Sequence, residues 1–255
     1  MHLNIQGKVA VVTGASEGIG KAIAAKLVEE GAKVAISSRR AKELDAVAHE
    51  IRKGTKSSEI IPFAADMTNR DDVRAFMEEV ITNWSTIHIL VNNVGRAQPG
   101  LFQNLPDEDW RATFDANLSS ALYCTKAALP FMQRQKWGRI INIGSISGKE
   151  PSAGLIASNS AKAALISFSK SLAAELAPDG ILVNCVCPGR ILSAQALRLT
   201  SEKEREEIAS THIPIRRFGH PEEVANLVAF LASECSSYIA GTAILVDGGM
   251  ARGLY

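Results

Sequence analysis

The sequence predicts a doubly wound α/β fold: one parallel sheet in a single domain, with helices on both faces. Three observations carry this. Short apolar runs rich in Val, Ile and Ala recur along the chain, the pattern of strands buried on both faces. Stretches of helical period lie between them, and strand–helix alternation leads to parallel pairing. A length of 255 residues, 46% hydrophobic and 22% charged, suits one domain with a sizeable core, and no repeat, linker or composition break divides residues 1–255.

The elements follow in order. "KVAVVTG" is a first buried strand. "GIGKAIAAKLVEEG" is a helix, because Ile19, Ile23 and Leu27 stand four apart on one face. "AKVAISS" and "EIIPFAAD" are strands, and "DDVRAFMEEVITNW" is a helix. The strand "IHILVNNVG" precedes the long helical stretch "DEDWRATFDANLSSALYCTKAALPFMQRQ". The strand "GRIINIGS", the helix "SNSAKAALISFSKSLAAELA" and the strand "ILVNCVCPG" come next. "PEEVANLVAFLAS" is a last helix and "TAILVDGG" a last strand. Residues 190–217 are the most irregular, polar piece and interrupt the alternation just after a strand end. Ligands in such folds sit outside the carboxyl ends of the strands, so 190–217 is a candidate lid.

The loop "TGASEGIG" closes the first strand and opens the first helix. Gly14, Gly18 and Gly20 permit its turn and let main-chain N–H groups approach a pyrophosphate at a helix N-terminus. Gly14, Ser16, Gly18, Ile19 and Gly20 are therefore cofactor-contact candidates for a dinucleotide. An acid at the end of the second strand would read the ribose hydroxyls of NAD. Here Ser38 and Arg39 stand instead, a hydroxyl and a guanidinium suited to the 2′-phosphate of NADP(H). Glu17 argues the other way, since many NADP binders carry a basic residue in this loop. Asp66 either accepts from the adenine amino group, with the Met67 amide beside it, or caps the following helix.

Composition excludes several function classes. Net charge is +1 without long like-charge blocks, so there is no footprint for nucleic acid or a polybasic membrane contact. The four cysteines, Cys124, Cys185, Cys187 and Cys235, include no CxxC pair, which fits a reducing compartment. No apolar leader begins the sequence and no run reaches membrane-spanning length, so a cytoplasmic protein is expected. The five histidines show no metal-ligand spacing, and no metal is expected.

Over nearly its whole length the sequence resembles the short-chain dehydrogenase/reductase family, of Rossmann fold. The matching pieces are "TGASEGIG", "NNVG" at 92–95, Asn117 in "FDANLSS", Ser145 in "INIGSISG", Lys162 and "CPGRI" at 187–191. Within the family the likeness is to 3-oxoacyl-acyl-carrier-protein reductase-like members. The resemblance implies roles. Asn92 would stabilise the central strand, and Asn93 and Gly95 would line the cofactor. Asn117 would hold a water in a proton relay, or be a helix-distorting Asn bonded to backbone. Ser145 would donate to the substrate carbonyl, and Lys162 would hold the nicotinamide ribose. Pro188, Gly189 and Ile191 would meet the nicotinamide end, beside Ser193 where Thr is commoner. A homotetramer and a small carbonyl or alcohol substrate are implied too.

One residue departs from the family pattern. A tyrosine is expected four positions before Lys162, and Ser158 stands there. An aliphatic alcohol is shorter and a far weaker acid than a phenol. Ser158 with a water, or Lys162 itself, would have to pass the proton. The "SNSAK" surroundings resemble a subgroup with serine naturally at the tyrosine position. Of the tyrosines, Tyr123 is expected in the core or an interface, Tyr238 as a packing residue, and Tyr255 could approach a neighbouring subunit's site. Arg96 could meet an anionic substrate or be a solvated loop residue. Arg134 and Lys136 offer charge to an acidic carrier, whereas Asp179 stands where a second basic residue would help. Two readings remain: a reductase with an altered proton donor, and an NADP-binding pseudoenzyme acting as sensor or partner subunit.

Overall fold

In the computed structural model, which describes residues 2–55 and 59–254, the apolar runs pair as one parallel sheet. Its strands are β1 (Val9–Thr13), β2 (Lys33–Ser38), β3 (Ile60–Ala64), β4 (Ile89–Asn92), β5 (Gly138–Ile143), β6 (Ile181–Pro188) and β7 (Ala243–Val246), in the order β3-β2-β1-β4-β5-β6-β7. The helices are α1 (Gly18–Glu29), α2 (Ala41–Gly54), α3 (Arg70–Trp84), α4 (Asp107–Phe114), α5 (Ser120–Gln135), α6 (Ile156–Leu176), α7 (Ala194–Leu199), α8 (Glu202–His212) and α9 (Pro221–Leu231).

Period-2 alternation explains why both strand faces are apolar. Ala10 and Val12 of β1 join a core with α1, α2 and α9, through Ile23, Leu27, Leu44 and Val228. Val9 and Val11 join the opposite core with α3, α5 and α6, through Phe76, Cys124 and Ala173. Each such buried aliphatic or aromatic side chain contributes about 1.5–3 kcal/mol, which is why propensity matters little here beside burial. Strand order runs outward from β1 in both directions, so the sheet reverses between β1 and β4 and opens a crevice at their carboxyl ends.

The fold departs from the sequence expectations at several points. Helix α2 was absent from them: its apolar stripe is only Leu44, Val47, Ala48 and Ile51, set among charged residues, and the sheet completes it. Residues 190–217 are less irregular than expected, because α7 and α8 lie within them. Ser193 caps α7 by accepting from the Ala196 amide, and a Ser201–Glu204 capping box starts α8. The long helical stretch is interrupted by a π-helical turn at Asp115–Ser119, between α4 and α5. Tyr238 does not pack within this chain's described residues: it is 102% exposed, on the turn before β7. Tyr255 lies outside the described residues.

Candidate active site

A cleft of about 990 Å³ opens at the β1/β4 crevice, lined by the glycine loop, the ends of β4, β5 and β6, and the start of α6. The glycine loop is held by tertiary contacts. The Asn93 side-chain amide donates to the carbonyls of Thr13 (3.0 Å) and Gly14 (2.9 Å), and the Thr13 hydroxyl accepts from the Asn93 amide at 3.0 Å. Gly14 has φ +66°, and a Cβ on Gly20 would strike the Gly14 carbonyl and lie 2.5 Å from the Asn93 Nδ2. Close approach of the first turn of α1 to β1 therefore requires glycine. Gly18, Ser16 and Ile19 complete this wall, and Ser193 stands against Gly18.

At the adenosine-binding end the candidates occupy different environments. The Ser38 hydroxyl accepts from the Arg40 amide at 3.1 Å. Arg39 is largely exposed and lies 3.7 Å from Asp66. Arg40, which sequence reasoning passed over, turns back to donate to Ser16 Oγ at 2.8 Å and lies 3.2 Å from Glu17. Arg198 of α7, also unforeseen, forks onto the same Glu17 at 2.8 and 3.3 Å. The Arg198 bond and the Arg40 bond and charge hold the Glu17 carboxyl below its ordinary range against a partial burial that raises it. Asp66 is not the cap of α3; Asn69 is, accepting from Asp71 and Asp72. Asp66 Oδ1 instead accepts from the amide and hydroxyl of Thr68, while Met67 is buried beneath the cleft floor.

Toward the other end, β4 delivers Asn92, which donates to Asn142 at 2.8 Å and to Thr125 at 3.3 Å, while Asn142 donates to Ser169 at 2.8 Å. This buried chain ties β4 and β5 to α5 and α6 beneath the cleft. Asn117 sits in the π-helical turn, 1% exposed. Its side chain donates to the carbonyls of Arg96 and Thr113, both at 2.8 Å, and accepts from the Arg96 amide at 3.3 Å. It is thus bonded to backbone, one of the two roles considered for it. Arg96 is an exposed loop residue, as one of the two readings expects, and its guanidinium pairs with Asp109 at 2.7 Å.

Ser145 leaves β5 at the cleft edge. Its oxygen accepts from the Ser147 amide (3.1 Å) and hydroxyl (3.0 Å), which leaves its own O–H free to donate. Lys162 Nζ donates to the Ile143 carbonyl at 2.8 Å. A Cβ on Gly95 would come within 2.9 Å of Asn117 Oδ1 and 3.2 Å of Lys162 Nζ, so Gly95 is what lets these two groups converge. Burial lowers the Lys162 ammonium to about 8, opposed by the neighbouring Cys185 and Cys187 thiols. Ser158, 4% exposed and one helical turn before Lys162, accepts from the Gln98 amide at 2.8 Å. Pro188, Gly189 and Ser193 line the remaining wall; Ile191 is buried behind it, bridged to Gly219. Tyr123 lies away from the cleft, between α3 and α5, with Arg70 over its ring. Among the described residues no three His, Cys, Asp or Glu side chains gather as a metal site.

Comparison with known proteins places the chain among reductases. The family model described as Enoyl-(Acyl carrier protein) reductase matches residues 14–251. The chain is 40% identical to 3-oxoacyl-[acyl-carrier-protein] reductase FabG of Aquifex aeolicus, over 98% of this chain and 100% of that one. It is equally 40% identical to the FabG protein of Staphylococcus aureus, over 95% and 98% of the two chains. Its backbone matches L-sorbose reductase of Gluconobacter frateurii, complexed with NADPH and L-sorbose, with TM-score 0.95 and 34% identity across 100% of both chains.

Proposed function

This chain belongs to the short-chain dehydrogenase/reductase family, and we propose that it is an NADP(H)-dependent reductase of small carbonyl compounds with an altered proton donor. One observation carries the reading: Ser145, Ser158 and Lys162 line the same cleft as the glycine loop and five arginines. A pure binding protein has little use for an oxyanion donor at that place.

The residues present fit the dinucleotide. Gly14, Gly20 and Gly95 let the backbone come close where a Cβ would meet the chain's own atoms, and Arg39, Arg40 and Arg198 gather beside the glycine loop and the end of β2. Gly14, Ser16, Gly18, Ile19 and Gly20 would hold the pyrophosphate. Ser38 and Arg39, with Arg40, would hold the 2′-phosphate; Asp66 and the Met67 amide would hold adenine. Asn93, Gly95, Lys162, Pro188, Gly189, Ile191 and Ser193 would surround the nicotinamide riboside. Bound there, the nicotinamide supplies hydride to a carbonyl carbon.

The chain's own groups then manage the oxygen. The Ser145 hydroxyl donates to it and stabilises the charge that develops. The Lys162 ammonium, lowered by burial, is the acid; the Ser158 hydroxyl, on the same helix face, passes the proton to the oxygen and takes one from Lys162. Lys162 is left as a neutral amine and regains its proton from solvent. Asn117 positions the backbone beside Lys162.

Relatives of 40% identity favour a 3-oxoacyl thioester as substrate class. Carrier docking has weak support, because Lys136 is paired with Asp179 at 2.8 Å and Arg134 lies over Phe131. The proposal includes one domain over residues 1–255 with 190–217 as its lid, a homotetramer, and a cytoplasmic setting. The test is NADPH oxidation by the purified protein with 3-oxoacyl thioesters, ketones and quinones. Turnover lost in Ser145→Ala supports the reductase. NADPH binding without such turnover leaves the pseudoenzyme reading.

A further inference from the structure

Glu17 collects two guanidinium groups from distant parts of the chain. Arg40 comes from the turn after β2 and Arg198 from α7, which is 181 residues away from Glu17 in sequence. All three side chains are partly exposed, and an exposed ion pair adds little stability. The arrangement is better understood by where it puts charge. Two guanidiniums on one carboxylate leave a net positive charge at the glycine loop, next to the Ser16 and Ser38 hydroxyls. A guanidinium has five N–H donors. The fork onto Glu17 uses two from Arg198, and Arg40 turns only its Nη2 toward Ser16 and Glu17. Donors are left over on both, and both residues line the cleft. The loop itself has an acid where a basic residue would serve a phosphate, and the lid brings the missing base.

We infer that Arg198, carried onto the glycine loop by Glu17, is a specificity-determining residue for the 2′-phosphate of the cofactor, so that the lid helix α7 reads the same phosphate as the β2–α2 turn. This rests on the NADP(H) reading above. It makes lid position and cofactor choice one equilibrium: a ligand carrying the 2′-phosphate holds α7 down, and one without it does not.

The experiment uses two probes without nicotinamide, adenosine 2′,5′-bisphosphate and adenosine 5′-monophosphate, titrated calorimetrically into the full chain. Wild type is expected to bind the bisphosphate at least tenfold more tightly. Arg198→Ala should shrink that ratio at least fivefold while monophosphate affinity stays within twofold. Arg198→Lys, which keeps the charge and loses the fork, should fall between. Amide hydrogen exchange across residues 194–212 should slow with the bisphosphate in wild type and not in Arg198→Ala. An unchanged ratio in Arg198→Ala, or equal weakening of both probes, overturns the role of Arg198 alone. A wild type that shows no preference for the bisphosphate overturns the NADP(H) reading and this inference with it.

Discussion

The Ser158 hydroxyl oxygen accepts the main-chain amide of Gln98 at 2.8 Å, across 60 residues of sequence. The serine that stands in place of the expected phenol therefore fastens the segment after β4 to α6. The Gly100 amide, donating to the Gly154 carbonyl at 2.9 Å, fastens it a second time. Ser158→Ala leaves the part-buried Gln98 amide without its partner. The expected cost is about 1–2 kcal/mol, a fall of roughly 2–8 °C in Tm for a chain of this size. In the reading proposed above Ser158 also passes the proton, so kcat should fall at least tenfold with little change in the KM for NADPH. A lower Tm with unchanged kcat would confine Ser158 to the structural role.

Ser158→Tyr separates the two roles in the other direction. A phenol beside Lys162 is a stronger acid, and a positioned acid is worth on the order of 10²–10⁴ in rate. NADPH oxidation should rise at least tenfold, while Tm falls because the Gln98 bond is lost. A variant that is folded, binds NADPH and gains no rate would show that proton supply does not limit turnover.

The pH profile tests Lys162. Burial lowers its ammonium to about 8 from an ordinary 10.5. Reduction consumes the protonated form, so kcat/KM should be level below about 8 and decline above it, by one proton. Lys162→Gln should remove this limb along with most of the rate. A profile that stays level to pH 9.5 would exclude Lys162 as the acid.

His88 ties stability to pH. Burial, and the charge of Lys8 nearby, lower its imidazolium to about 4 from 6.5. Its Nδ1 accepts from the Val9 amide at 3.0 Å, which requires the neutral ring. Between these values the unfolded chain holds the proton and the folded chain does not. Its contribution is therefore fully present above pH 6.5 and is lost as pH falls toward 4. Urea midpoints measured from pH 7 to pH 4 should fall less steeply in His88→Gln than in wild type; parallel curves would remove His88 as the cause.

Gly20→Ala tests the cofactor cradle. The added Cβ meets the Gly14 carbonyl, which is backbone, and Asn93 Nδ2, which two hydrogen bonds hold in place. Overpacking of this kind costs about 1–3 kcal/mol, and the loop must shift. NADPH affinity should drop at least tenfold, read by titration fluorescence, with far-ultraviolet circular dichroism unchanged.

Much of the fold and part of the site are legible in the sequence, for one physical reason. Strands such as Val9–Thr13 and Gly138–Ile143 are buried on both faces, so their composition alone marks them. The turn at Gly14, Gly18 and Gly20 needs residues without a Cβ, and a parallel sheet delivers it to the crevice beside β4. That Ser158 lies one turn before Lys162 follows from helix period, while the tyrosine expected there is what the family resemblance implies. What the sequence could not contain is where each polar atom finds its partner. Which of Arg39 and Arg40 turns back to the glycine loop, that Arg198 crosses to Glu17, that Asn69 rather than Asp66 caps α3, that Asn117 bonds backbone within a π-helical turn, and that Ser158 takes the Gln98 amide are all settled between residues far apart in the chain. The layers and the kinds of group near the strand ends are written locally in the chain, because periodicity and glycine geometry are local. The strand order that opens the crevice, and the hydrogen-bond and charge pairing, arise in the folded molecule, because each is a choice among several partners that packing alone brings together.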